Sequence, residues 1–485
     1  MQIKVIQRIL GLLIMVFSIT MLPPILIAVF DHNRGLYPFV LGFVILLVLG
    51  LGIWYPQRNQ KNELRLRDGF IIVVLFWAVL GIAGGLPLIL AEVPRLSITD
   101  AIFESMSGLT TTGATVIVGL DGLPKSILFY RQELQWLGGM GIIVLAVAIL
   151  PMLGVGGMQL YKAETPGPVK DSKLTPRITG TAKALWYIYL SLTIGCAIAY
   201  YLADEKMTVF DALSHSFSTV AIGGYSTHDA SIGYFDSAAV EMVAVIFMFL
   251  SGVNFGLHFA AWHSRRIASY LQDSEFKYYF SMILVVIVIC TTYLALSYPQ
   301  DGLETAVRHG VFHTVSIATT TGFSTTDFSA WPAFLPILLL FTSFVGGCAG
   351  STGGGMKVIR VMLLFKQGVR ELRKLVHPSA YMVVKVSKLP VPQTVIEAVW
   401  GFFAAYVMVF VVFLLLLMAS GLDQITAFSA VAASLNNLGP GLGDVAANYQ
   451  GINNFSKWVL CLAMLMGRLE IFTFLVLLTP AFWRR

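Results

Sequence analysis

Four short turns in this sequence carry residue types suited to handling a bare cation. They read Leu109-Thr110-Thr111-Thr112-Gly113-Ala114-Thr115, Thr219-Val220-Ala221-Ile222-Gly223-Gly224-Tyr225, Ala318-Thr319-Thr320-Thr321-Gly322-Phe323-Ser324 and Leu435-Asn436-Asn437-Leu438-Gly439-Pro440-Gly441. An alkali cation stripped of its water shell needs oxygen ligands, and rings of backbone carbonyls supply them. Glycine admits positive φ, which lets successive carbonyls turn toward one axis. Threonine adds a hydroxyl on a side chain too short to block a path. No acid lies within the three residues before Gly113, Gly223, Gly322 or Gly439, which argues against a carboxylate ring of the calcium or sodium type. Aligning those four glycines makes the candidate ligands Thr110, Thr111, Thr112 and Gly113; Val220, Ala221, Ile222 and Gly223; Thr319, Thr320, Thr321 and Gly322; and Asn436, Asn437, Leu438 and Gly439.

A second candidate lies downstream of the third turn. Six of the ten residues from 346 to 355 are glycine: Gly346, Gly347, Gly350, Gly353, Gly354 and Gly355. Each costs roughly 1 kcal/mol in a helix relative to alanine, so the run should break the apolar span that contains it. The segment is not a Walker A loop, because Lys357 follows Met356 and no Ser or Thr follows it. An intramembrane loop below the filter would obstruct the path. Arg468, with Glu470 two residues on, stands inside the last apolar span. A charge at membrane depth faces a cavity or a partner, and residues two apart do not share a helix face. Arg468 therefore repels cations in the path, ties down the glycine loop through its carbonyls, or joins a structural ion pair.

The elements that position these residues follow from composition. The chain has 485 residues, 57% hydrophobic and 12% charged, against roughly 25% charged in soluble proteins. Apolar runs recur from end to end, near 9–30, 38–55, 70–91, 128–154, 182–203, 238–262, 278–298, 332–356, 396–420 and 457–481. This is an all-α polytopic membrane protein; a β-barrel would alternate apolar and polar residues. Lys4 and Arg8 precede a long apolar stretch with no small-residue cleavage site, which reads as a retained first helix. After two N-terminal helices (1–67) the order repeats four times: span, short polar-flecked helix, glycine turn, span. The repeats occupy 68–165, 166–270, 271–390 and 391–485, and imply pseudo-fourfold symmetry around one pore. Small residues also mark helix crossings, but four turns in register outweigh that reading. The short stretches cannot cross about 30 Å of hydrocarbon and suit re-entrant helices.

Ten spans put both termini on one side. The loops on that side hold 24 Lys+Arg against 8 Asp+Glu, and the opposite side 7 against 17, so both termini are expected in the cytoplasm. A negative outer face would concentrate cations. Segment 357–388 carries eight Lys+Arg and one acid, Glu371, which suits anionic lipid or a soluble regulator. Cys196, Cys290, Cys348 and Cys461 lie in separate apolar segments and suggest neither disulfides nor a zinc site. His215, His309 and His313 come nearest to a catalytic cluster and read as polar packing.

The two-span-plus-turn repeat, with one filter glycine each, resembles the Trk/Ktr/HKT superfamily of potassium transporters. The extra N-terminal helix pair, the length and the glycine-rich segment of the third repeat are similar to its bacterial TrkH branch. The resemblance covers essentially the whole chain. Gly113 stands where sodium-preferring plant members have serine, which implies potassium, with rubidium as surrogate. It further implies a bacterial inner-membrane protein with its gate at the glycine loop, forming a homodimer of separate pores. A cytosolic TrkA-like ring would bind the nucleotide that controls it. No cofactor is expected in this chain beyond the transported ion, and no nucleic acid. Passive, channel-like flux with moderate selectivity over sodium is the expectation; proton- or sodium-coupled symport, with Glu470 as the carboxylate, is the alternative, and a membrane enzyme a more distant one.

Overall fold

The structure is a computed structural model that describes residues 2–31, 35–60, 66–144, 178–387 and 389–484. Apart from a two-residue hairpin, Lys385–Val386 against Leu389–Pro390, the regular elements among these residues are helices. A chain this apolar has little choice, since backbone groups in hydrocarbon must be satisfied within the segment.

The N-terminal pair is one long element, Ile3–Ser18 continued through a 3-10 turn into Leu22–Phe30, against which Leu36–Trp54 folds back. Two glycines set their separation. A Cβ on Gly50 would stand 2.6 Å from Met15 Cγ and 2.9 Å from the Gly11 carbonyl oxygen, and one on Gly11 would stand 2.8 Å from the Gly50 oxygen. Backbones approach this closely only where side chains are absent.

Four repeats follow, each with a first helix, a pore helix and an inner helix. In the first they are Leu66–Gly84, Ile98–Leu109 and Lys125–Val144. In the second they are Ile178–Ala203, Val209–Ala221 and Ala238–Ser251. In the third they are Ser274–Ser297, Gly302–Ala318 and Phe334–Val345. In the fourth they are Gln393–Ala419, Gln424–Leu435 and Asn454–Arg468. The pore helices run 12 to 17 residues, about 18–26 Å at 1.5 Å per residue, too short to span. Three start on a side-chain cap: Ser97 accepts from the Asp100 amide, Thr208 from that of Asp211, and Asp423 from those of Ile425 and Thr426. Their chain-reversing C-terminal ends are buried, every residue from Ala101 to Leu109 included.

The inner helices depart from the uninterrupted spans expected at 238–262 and 457–481. The second-repeat inner helix turns by 92° between Ser251 and Phe255, and the fourth by 113° between Arg468 and Ile471. In the third the helix stops at Val345, the glycine run follows as a loop, and a new amphipathic helix forms over Val358–Val376. The break expected there is present. Six described helices are long and apolar enough to cross a membrane, or eight if each bent pair is one span. The other two expected spans are the twelve-residue Phe334–Val345 and the region 128–154, whose last ten residues lie outside the described ones. The repeat boundary expected at 165/166, most of the loop at 155–183 and Lys388 also lie outside them.

Replacing Gly50 by leucine should wedge the N-terminal pair apart and cost roughly 1–3 kcal/mol by overpacking. The expected outcome is a lower melting temperature of the purified protein with unchanged ion preference, because the pair stands apart from the four turns.

Candidate functional site

Each pore helix hands the chain directly to its turn, and the four turns share one backbone signature. A residue in the left-handed region is followed two positions later by a glycine in the same region. The pairs are Thr111 (φ 53°) with Gly113 (82°), Ile222 (55°) with Gly224 (78°), Thr320 (69°) with Gly322 (83°), and Asn437 (54°) with Gly439 (93°). The hydrogen bonds agree: the amides of Thr112, Gly223, Thr321 and Leu438 donate to the carbonyls of Ser107, Ser218, Ser316 and Ala433, each at 2.8 Å. The second turn is therefore shifted by one residue from its expected register. Gly224, not Gly223, is the counterpart of Gly113, and Val220 belongs to the pore helix rather than to the turn. A Gly-Gly pair offers two candidates; the left-handed backbone at Gly224, the hydrogen bonds and the match of Gly224-Tyr225-Ser226-Thr227 to Gly322-Phe323-Ser324-Thr325 all select the second.

The four turns close on one another. A Cβ added to Gly113 would overlap the carbonyl oxygen of Gly223, one on Gly224 that of Thr321, one on Gly322 that of Leu438, and one on Gly439 would stand 2.7 Å from that of Thr112. Each glycine thus lies against the preceding-level carbonyl of the next repeat, around a complete ring. The C-terminal ends of the four pore helices carry partial negative charge toward it. The first left-handed position is held by Thr, Ile, Thr and Asn, of which the β-branched three are strained there at of order 1–3 kcal/mol each.

The hydroxyls of Thr110, Thr112, Thr319 and Thr321 are engaged within their own turns. Thr110 Oγ1 donates to the Met106 carbonyl and meets Thr112 Oγ1 at 2.8 Å, and Thr319 Oγ1 donates to Val315 and meets Thr321 Oγ1 at 2.8 Å. The fourth turn is tied laterally instead. Asn437 Nδ2 donates to Thr112 Oγ1 (2.9 Å) and to the Met464 carbonyl, while Asn436 receives the Tyr406 hydroxyl at 2.5 Å and donates to Ser343 Oγ.

Beyond the ring lies a cavity of about 410 Å³ lined by Gly113, Gly224, Gly322 and Gly439 together with residues such as Asp229 and Asp327. Several of the charges expected on the outer face are paired with one another, and one pair is fully buried. Arg131 Nε donates to Glu104 Oε1 at 2.8 Å with both side chains fully buried, and Glu104 also receives the Val116 amide. Arg308 pairs with Glu241 at 2.8 Å and Lys457 with Asp100 at 2.6 Å. His228 lies flat on Tyr234 and stands 2.5 Å from Asp121 and 3.6 Å from Asp211. Burial opposes its charge, but those carboxylates outweigh burial and raise its pKa above the ordinary histidine value. His215 and His313 are engaged by backbone and hydroxyl partners, and no metal-holding cluster occurs among the described residues.

On the other side of the ring sits the glycine loop, 346–357. The Gly354 amide donates to Thr320 Oγ1 at 2.7 Å and the Gly355 amide to the Asn436 carbonyl at 3.0 Å. Gly353 faces the Thr319 carbonyl, and a Cβ on Gly354 would overlap that of Asn436. Gly346 crosses the Gly354 carbonyl with φ 69°, Gly347 accepts from Val358, and Gly350 accepts from Phe255 at the bend of the second repeat. Thr352 Oγ1 donates to the Val220 carbonyl at 3.0 Å. Arg468 holds the loop from the fourth repeat: it donates to the Thr352 carbonyl at 3.3 Å and to the Gly138 carbonyl at 3.1 Å, with its guanidinium over Trp77. The carbonyl tie expected of Arg468 is present, and its neighbour Glu470 pairs with Arg360 at 2.5 Å.

Sequence reasoning missed the braces behind the ring. Arg131, Gln132 and Gln135 of the first inner helix reach across to the second turn and its exit strand. They donate to the carbonyls of Ser226 (3.1 Å), Tyr225 (3.1 Å) and Gly223 (2.6 Å). The signal was available as a cluster of polar residues, Arg131-Gln132-Glu133 and Gln135, inside an apolar span.

Comparison with known proteins agrees with this architecture. The family model for TrkH, a cation transport protein, matches residues 36–485. The Trk system potassium uptake protein TrkH of Vibrio parahaemolyticus is 60% identical over the full length of both chains. The protein of the same name from Escherichia coli is 54% identical, again over both full lengths, and E. coli TrkG is 41% identical over 99% of each. The crystal structure of the potassium transporter TrkH from V. parahaemolyticus superposes with a TM-score of 0.92 at 58% identity, covering both chains completely. With four re-entrant turns closed into one ring and this similarity running from end to end, the chain belongs to the TrkH family of cation transport proteins and is a transporter, not an enzyme.

Proposed function

We propose that this chain is a potassium-uptake pore whose selectivity filter is the ring of four turns. The observation that carries the reading is the closed ring itself: backbone carbonyls at four pore-helix C-termini, with no acidic side chain among residues 110–113, 221–224, 319–322 and 436–439. Carbonyl dipoles replace the hydration shell of a large, weakly hydrated cation. The relatives named above are potassium uptake proteins, and rubidium, close in size, passes as a surrogate. The filter lacks a TVGYG strand in any repeat, so discrimination against sodium is moderate.

The cavity containing Asp229 and Asp327 faces the outside, and the glycine loop faces the cytoplasm with both termini, in the bacterial inner membrane. Flux is passive. Coupled symport would need a free carboxylate on the path, and Glu470 is engaged by Arg360. The glycine loop is the gate: it is hydrogen-bonded to two filter residues, Thr320 and Asn436, and fastened by Arg468. A cytosolic TrkA-like ring acts on it through helix Val358–Val376, which leaves the loop directly and exposes Leu372, Leu375 and Val376 beside Arg373 and Lys374. The same basic face meets anionic lipid. The assembly is a homodimer with one pore per protomer, as the family resemblance implies.

Purified protein in proteoliposomes should take up rubidium, with uptake blocked by external potassium and far less by sodium. Equal block by the two ions would sink the filter reading. Two gate variants should raise uptake in the absence of any partner: Gly354→Ala, whose methyl cannot share space with the Asn436 carbonyl, and Arg468→Ala, which frees the loop. Uptake at or below wild type from well-folded samples of both would assign the loop a structural part only.

A further inference from the structure

We propose that Gln135 is a positioning residue that sets the ion preference of the filter by supplying the wall that Gly223 lacks. The inference rests on the filter reading above. At the level just below the four left-handed glycines the repeats carry Thr112, Gly223, Thr321 and Leu438. Three have a side chain there and the second has none. The space is not empty. A Cβ on Gly223 would overlap Gln135 Cδ and stand 2.5 Å from its Oε1 and 2.9 Å from its Nε2. Gln135 comes from the inner helix of the first repeat and is completely buried, so a neighbouring repeat fills the gap.

Its contacts are made to the turn's backbone. Nε2 donates to the Gly223 carbonyl at 2.6 Å, and Oε1 accepts from the Tyr225 amide at 3.1 Å. Those two partners, one acceptor and one donor, fix which end of the amide points where. The side chain therefore bridges Gly224 on both sides and holds the left-handed turn rigid. The Gly223 oxygen is also the one that Gly113 packs against in the ring. Among the described residues no hydrogen bond reaches its three counterparts, the carbonyls of Thr112, Thr321 and Leu438. One carbonyl of that level thus shares a lone pair with an amide donor, while three keep both for the path. Selectivity in such filters depends on the number and field strength of the carbonyl dipoles. A tempered, immobile carbonyl disfavours the smaller ion, which needs strong, close ligands to repay its hydration.

The test compares wild type with Gln135→Met, which keeps the length and bulk but has no polar end. Rubidium uptake is read against competing potassium and sodium, and the melting temperature is read in each ion, which needs no open gate. A folded Gln135→Met should show a potassium-over-sodium ratio about threefold to tenfold below wild type, the span expected for one hydrogen bond. Gln135→Ala with Gly223→Thr, which rebuilds the wall of the first and third repeats, should recover part of the loss seen in Gln135→Ala alone. A role limited to packing would change yield and melting while leaving the ratio intact, and an unchanged ratio in folded Gln135→Met overturns the proposal. If that variant does not fold, Gln135→Glu, which retains the acceptor toward Tyr225 and removes the amide donor, decides by the same ratio. A wild type without potassium preference would overturn the filter reading itself.

Discussion

The constraint on which the structure depends is that four turns must leave helical geometry in the protein interior and still have their backbone satisfied. Irregular backbone at membrane depth survives only inside protein or against a wet cavity. The ring solves this by contact: each left-handed glycine packs on a carbonyl of the next turn, so no turn is held by its own repeat alone. The pore helices are buried because they must deliver their ends to that ring. The bends at 252–254 and 469–470 and the loop at 346–357 lie where the inner helices pass beneath it.

The ring is fourfold in backbone but not in chemistry. The first and third turns use paired threonine hydroxyls, the fourth uses asparagine amides, and the second borrows side chains from the first inner helix. Duplicated repeats are free to diverge in this way, because the shared requirement is the backbone path, and any donor of the right reach can hold it. The same freedom lets one repeat acquire a loop. The third inner helix ends at Val345, and its glycines bring backbone amides to Thr320 and Asn436. Side chains at those positions would hold the loop away from the ring.

The fold class was legible because apolar span length is dictated by the bilayer, and the four turns because their composition interrupts it. The long helices Ser274–Ser297 and Gln393–Ala419 begin and end within four residues of the spans read from hydropathy. The register of the second turn was set wrongly from the first glycine of the pair, although Gly224-Tyr225-Ser226-Thr227 matches Gly322-Phe323-Ser324-Thr325; φ and the hydrogen bonds place Gly224 at the shared position. The bends at Gly252 and Leu469 were also missed: Ser251-Gly252-Val253-Asn254 and Gly467-Arg468-Leu469-Glu470 interrupt the apolar runs only briefly, and the geometry of the break comes from tertiary partners such as Asn254, which donates to the Ala349 carbonyl at 2.5 Å. The carbonyl partners of Arg468, at Thr352 and Gly138, are visible only in the folded chain. Long-range partners of a lone buried charge leave no periodic trace in sequence.

Charge counting illustrates the same limit and its remedy. The outer side carries a large excess of acids by sequence, but Glu104, Glu241 and Asp100 are consumed by Arg131, Arg308 and Lys457. Removing Arg131 alone would leave a buried carboxylate uncompensated, at about 3–5 kcal/mol, so this pair belongs to the scaffold and contributes little field at the entrance. Pairing consumes bases as well as acids. With three of the seven outer Lys+Arg neutralised in this way, the surplus that remains is still acidic, and Asp229 and Asp327 of that surplus line the cavity at the ring. On the proposed reading, attraction of cations to this cavity would come from a few placed carboxylates rather than from the net charge of a face. The ring behind it contains only dipoles. On the proposed reading, charge would collect the ion where water still screens it, and neutral carbonyls would discriminate where water is gone.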